Sequence, residues 1–133
     1  MKIQEKYYPV AVSGKFVRIL EGEVRKAGKG PRKGLYINFR DPDYSPEAGG
    51  FHPVEVMISS AGIIQYVTDF AYVGNPSELA KEIDFDFSVG EFQHFGIAFP
   101  IGKGRGLFRT WQSNFCAYYA MGVFEVAVKE VGS

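Results

Sequence analysis

The sequence predicts an α+β fold in two layers: a largely antiparallel sheet of about six strands with two helices packed on one face. Three observations carry that expectation. Apolar residues recur at helical spacing in two well-separated segments, and most of the rest alternates apolar and polar residues with period two. Most of the strand-like segments are joined by short turns, which suits a meander better than a parallel, doubly wound sheet.

The first helix is expected after Ser13, an N-cap residue, with Phe16, Val17, Leu20, Val24 and Ala27 on one face. Lys15, Arg18, Glu21 and Arg25 fall opposite, with Glu21 and Arg25 spaced as an i,i+4 ion pair, and Gly28 and Gly30 end the segment. From Gly34 the period changes. Leu35, Ile37 and Phe39 alternate with Tyr36, Asn38 and Arg40, and Val54, Val56 and Ile58 alternate with Glu55 and Met57. "SSAG" turns into the strand "IIQYVTDFAYV". "GNPSELAKE" reads as a helical turn capped by Ser77, followed by Ile83, Phe85 and Phe87 alternating with Asp84 and Asp86. "FQHFGIAF" reads as one further strand. After the loop "GKGRG" a second helix places Leu107, Phe108, Trp111, Phe115, Tyr118 and Tyr119 on a wide apolar face, with Cys116 at its margin. Gly122 ends it, and "VFEVAVKEV" is the last strand.

The chain has 133 residues, the size of a single domain, and residues 1–12 form an N-terminal extension expected to be partly flexible. An apolar fraction of 46%, with twelve Phe and eight Tyr, fills a core without metal or disulfide. The single cysteine and the lack of a signal-like or membrane-spanning run point to the cytoplasm. The formal charge is zero, but Arg25, Lys26, Lys29, Arg32 and Lys33 cluster in "RKAGKGPRK". Setting those five aside leaves ten basic against fifteen acidic residues.

The blocks "INFRDPDYSPEAGGFHPVEV", "YVTDFAYVG", "ELAKEIDFDFS" and "LFRTWQSNF" resemble a bacterial family, domain of unknown function 2787, over roughly Leu20 to Val128. The N-terminal "KIQEKYYPV" and the basic "RKAGKGPRK" lie outside the pattern. The resemblance implies no activity and transfers no functional residue.

Candidate sites therefore come from the residues themselves. The stretch from Arg40 to His52 holds Arg40, Asp41, Asp43, Tyr44, Glu47 and His52, and with Glu55 it is the leading binding candidate. Its structural reading is a strand followed by Asp-Pro, Ser-Pro and Gly-Gly turns in which Asp41, Asp43 and Ser45 hold nearby backbone. An enzyme reading pairs His52 with Asp41 or Asp43 as an oriented base, with Arg40 on an anionic substrate. A metal reading uses Asp41, Asp43, Glu47 and His52, but no known ligand spacing supports it, and no metal or cofactor is expected. His52 and Glu55, three residues apart, cannot share a strand face.

Asp69 is the acid with the most apolar neighbours. Buried, it would serve as an acid or base; the alternative is an exposed strand acid, or one satisfied by backbone amides or Arg40. Lys29, Arg32, Lys33, Lys103 and Arg105 lie in two basic glycine loops and form the anion-binding candidate. Against nucleic acid, the open sheet face is expected to present Glu55, Asp84, Asp86 and Glu125. His94 reads as a packing or edge residue.

The first functional reading is a non-catalytic binding or interaction protein, contacting a protein partner or a second copy through the sheet face and the Asp41–His52 loop. Second is a nucleic-acid- or phosphate-associated accessory protein. Third is a small enzyme built on Arg40, Asp41, His52 and Asp69, a reading the residues lean against. No contact with a membrane is expected.

Overall fold

A computed structural model describes residues 1–28 and 33–132. Helix α1 spans Gly14–Ala27. Ser13 Oγ accepts the Phe16 N–H, and Gly28 closes the helix with its N–H on the Arg25 carbonyl. Phe16, Val17, Leu20 and Val24 are buried, whereas Ala27 is exposed. Glu23 is buried in its place, accepting the Tyr119 hydroxyl and pairing with Lys26 at 3.3 Å. Glu21 takes the Ile3 N–H at 2.8 Å rather than Arg25. A half-buried amide needs an acceptor, and a surface ion pair gains little by comparison.

That bond helps to dock the N-terminal segment. Ile3 and Val10 are buried in the core, Gln4 N–H reaches the Gly62 carbonyl at 2.8 Å, and the Tyr8 hydroxyl accepts the Ile64 N–H at 3.0 Å.

The strands are β1 (Leu35–Arg40), β2 (Val54–Ile58), β3 (Ile64–Val73), β4 (Glu78–Asp86), β5 (Glu91–His94), β6 (Ile97–Pro100) and β7 (Glu125–Glu130). They form one antiparallel sheet in the order β6-β5-β4-β3-β2-β1-β7. Seven strands rather than six arise because "FQHFGIAF" is a hairpin. His94 pairs with Ile97 across a two-residue turn whose central residues, Phe95 and Gly96, have φ of 48° and 82°, the turn whose twist suits adjoining strands. The expected helical turn at "SELAKE" is also strand. Val73 pairs with Glu78 and Tyr72 with Leu79, so the β3 ladder overrides the local helix preference.

After β6 a 3₁₀ turn, Ile101–Gly104, leads into α2 (Arg105–Ala120). Both helices lie over the sheet face formed by Leu35, Ile37, Phe39, Val54, Val56 and Phe85. The rings meet edge-on: Phe39–Phe115 and Phe85–Phe108 at 4.8 Å, and Phe16–Phe115 at 5.6 Å. The buried face of α2 is rotated from the expected one. Phe108, Gln112, Phe115 and Cys116 are buried, while Leu107 and Tyr118 are 42% and 37% exposed. Gln112 explains the rotation, because its amide accepts the Ser13 N–H and donates to the Ala11 carbonyl, both at 3.1 Å, tying α2 to the start of α1. Burial pushes the Cys116 thiol up, away from the reactive thiolate.

The opposite face carries the expected acids. Cross-strand register places Asn38, Glu55, Thr68 and Asp84 in one row and sets Arg40 against Glu125. Tyr66 donates to Glu55 at 2.6 Å, and Thr68 to buried Asp84 at 2.8 Å. Burial raises the Asp84 carboxyl above its ordinary value; the Thr68 bond and Lys81 act against this, and Asp86 and Glu55 with it. A carboxyl raised on folding favours the native state while protonated, and that contribution is lost as pH rises through its folded value. Asp84→Asn keeps an acceptor for Thr68 and removes the buried charge. It is therefore expected to raise the melting temperature at pH 7.5 and to lose that advantage near pH 4. Equal effects at both pH values would mean that burial of the charge is not what Asp84 costs.

Candidate functional site

The Arg40–His52 stretch is a structured loop organised by Asp41. Its Oδ1 accepts the Asp43 N–H at 2.9 Å and its Oδ2 the Phe51 N–H at 3.0 Å, from a buried position. Ser45 and Gly49 exchange backbone bonds, and Ser45 Oγ accepts the Ala48 N–H. Gly50 has φ of 130°, and a Cβ there would stand 2.8 Å from Asp41 Oδ2, so the crossing requires glycine. Tyr44 fastens the loop to the β3–β4 hairpin: its hydroxyl accepts the Tyr72 N–H at 3.0 Å and the two rings stack at 5.1 Å.

This geometry follows the structural reading of the loop and does not bring together the Arg40, Asp41 and His52 of the enzyme reading. Both Asp41 oxygens are used on backbone, Asp43 and Glu47 are exposed, and Arg40 and Glu55 point to the face away from the helices. Only His52 turns toward the helices, sharing a strand face with Val54. There its Nδ1 lies 2.9 Å from Asp69 Oδ1 and 3.0 Å from Glu82 Oε2. Asp69, the acid expected to be exposed or satisfied by backbone or Arg40, instead accepts from Trp111 Nε1–H at 2.9 Å through its other oxygen. The hydrogen bond to Asp69 raises the His52 imidazole above its ordinary value, opposed by burial and assisted by the charges of Asp69 and Glu82.

Glu82 enters through a β-bulge. Asp69 pairs with Ile83 and Phe70 with Lys81, which leaves Glu82 unmatched. Strict alternation would send Glu82 to the acidic face beside Asp84; the extra residue re-aims it toward the helices. Phe95 N–H on the Glu82 carbonyl at 2.8 Å holds the bulge against the β5–β6 hairpin.

The three groups form the polar side of a cavity of about 360 Å³ between the sheet and the second half of α2. Phe51, Trp111, Phe115, Tyr118 and Phe124 supply an aromatic wall, with Val54 and Ile83 from the strands and Asn114 from the helix. Phe51 packs on Tyr118 at 4.7 Å, so the loop set by Asp41 closes one side. Among the described residues, His52, Asp69 and Glu82 are the one group of three potential ligand side chains within 4.8 Å of one another.

Of the basic candidates, Lys29 and Arg32 lie outside the described residues. Lys33 precedes β1, while Lys103 and Arg105 follow β6 and are exposed. The strands they adjoin are five spacings apart in the sheet, roughly 24 Å at about 4.8 Å each. Sequence reasoning does not reach Trp111 or Glu82 as site residues: Trp111, the only tryptophan, reads as part of the apolar face of the second helix, and alternation sends Glu82 to the other sheet face.

Fold and site together define a two-layer α+β protein with an aromatic-walled pocket and a carboxylate–imidazole cluster. The chain belongs to the family described as protein of unknown function (DUF2787), whose model matches residues 14–129. It is similar to the hypothetical protein VC0508 from the VSP-II pathogenicity island of Vibrio cholerae: 38% identity, TM-score 0.83, 95% of this chain and 99% of that one. It is also similar to VC1805 from pathogenicity island VPI-2 of the same species: 37% identity, TM-score 0.81, 93% and 98% coverage. VC1805 is itself described as sharing structural homology with the human P32 protein. No curated protein matches. Among the described residues no helix is long and apolar enough to cross a membrane.

Proposed function

We propose that this is a non-catalytic binding protein of the cytoplasm whose pocket takes a small ligand with an apolar body and a polar head. The observation that carries the reading is the convergence of His52, Asp69 and Glu82 on one side of a cavity walled by aromatic rings. A volume of about 360 Å³ suits a small molecule, and few, convergent polar groups in apolar surroundings are the usual make-up of a ligand site. Binding is favoured over covalent chemistry because both oxygens of Asp69 and Nδ1 of His52 are already engaged with one another, with Trp111 and with Glu82. The single cysteine supports the reducing compartment.

A second reading, contact with a protein partner or a second copy, is favoured at the sheet edge: Ile97 is 63% and Phe99 38% exposed on β6, which is an edge strand among the described residues. The nucleic-acid reading has less support, given the separation of Lys33 from Lys103 and Arg105 and the carboxylates on the open face.

Native mass spectrometry of untagged protein from its own host tests these together. A low-mass adduct is expected, lost in Tyr118→Ala. A dimer or partner mass that survives Tyr118→Ala supports the edge strand instead, and a bare monomer sinks both.

A further inference from the structure

We propose that His52, Asp69 and Glu82 bind one divalent first-row metal ion, through His52 Nδ1 and one oxygen from each carboxylate. The proposal deepens the ligand-pocket reading and rests on the same cavity, because the ion would present open coordination positions to the polar head of the bound molecule.

Geometry is the first argument. Two ligand atoms at right angles on an ion with bonds of about 2.1 Å lie about 3.0 Å apart, bond lengths usual for nitrogen and oxygen donors on such ions. His52 Nδ1 stands 2.9 Å from Asp69 Oδ1 and 3.0 Å from Glu82 Oε2. Two edges of a coordination face are therefore already set, and the three side chains reach this point from a loop, a central strand and a bulge.

Charge is the second argument. Two carboxylates converge on a single imidazole, and no Lys or Arg pairs with either among the described residues. Even a protonated His52 leaves one negative charge in excess, and one ring N–H cannot serve both oxygens fully. A divalent ion neutralises the pair and replaces that shared proton.

The third is outer support. Trp111 Nε1–H holds the other oxygen of Asp69, the kind of second partner that fixes a ligating carboxylate. Access is open as well, since the side chains of His52, Asp69 and Glu82 are 37%, 14% and 25% exposed. An imidazole with two carboxylates suits zinc, iron or manganese.

The test is calorimetric titration of chelator-treated protein with ZnCl₂ and, in parallel, MnCl₂, read also by the emission of Trp111, the only tryptophan. One site per chain is expected for at least one ion, with a change in emission. Glu82→Gln, nearly isosteric and at a partly exposed position, is expected to weaken affinity at least tenfold, and His52→Ala at least as much. His94→Ala removes the other histidine and is expected to leave binding unchanged. The proposal is overturned by the absence of saturable binding of either ion, by unchanged affinity in a folded Glu82→Gln or His52→Ala variant, or by equal loss in His94→Ala. These outcomes are distinguishable from those of the mass-spectrometric test, in which an organic adduct is lost in Tyr118→Ala whereas a bound ion is not. Failure of the ion leaves the pocket standing, and failure of the adduct leaves the ion site standing.

Discussion

Phe108→Ala is expected to destabilise the protein by about 3–5 kcal/mol, the range for emptying a fully buried aromatic position. Phe108 has no exposed surface and packs against Phe85 at 4.8 Å, Phe87 at 5.4 Å and Phe16 at 6.5 Å, so it joins both helices to the sheet. At about 3 °C per kcal/mol for a domain of this size, the melting temperature falls by roughly 10 °C or more. The adjacent Leu107→Ala is expected to cost less than about 1 kcal/mol, because Leu107 is 42% exposed. Urea denaturation of the two variants checks the rotation of α2 directly. Similar losses would restore the helix face read from the sequence, on which Leu107 and Phe108 are equivalent.

Asp41→Ala is expected to cost about 2 kcal/mol and to loosen the pocket. The substitution strips the acceptor from two amides, Asp43 and Phe51, at bonds to a charged group that contribute about 1.5–3 kcal/mol each, offset in part by water at the loop surface. Phe51 adjoins His52 and packs on Tyr118, so the loss reaches the cavity through the backbone. Asp41→Asn keeps one carbonyl acceptor and is expected to fall between wild type and alanine. Amide hydrogen exchange at Phe51 gives the decisive reading: unchanged protection in Asp41→Ala, with unchanged stability, would remove Asp41 as the organiser of the loop.

These two residues also mark what was legible in advance. Asp41 as a backbone-holding residue follows from turn chemistry, since an aspartate before proline in a polar loop characteristically bonds amides nearby in the chain. Its second bond, to Phe51 ten residues on, depends on how the loop closes. Helix α1, its Ser13 cap and the alternation in β1 and β2 were readable because helical and strand periods are local properties of the chain. The face of α2 was not. An apolar arc spanning Leu107 to Tyr119 fits several rotations, and the bonds from Gln112 to residues about one hundred positions away select one.

By itself the sequence determined the two helices, the strands β1, β2, β3 and β7, the acidic open face and the family, because each rests on spacing or motif within a contiguous stretch. It also singled out His52 and Asp69, though in separate arguments. Only the tertiary structure decided that they meet. Seventeen residues separate them in the chain, and antiparallel pairing of β2 with β3 brings them within 2.9 Å. It also decided the third member. Glu82 belongs by alternation to the other face, and one unmatched residue in β4 turns it inward, because a bulge breaks the period of two on which any strand reading depends.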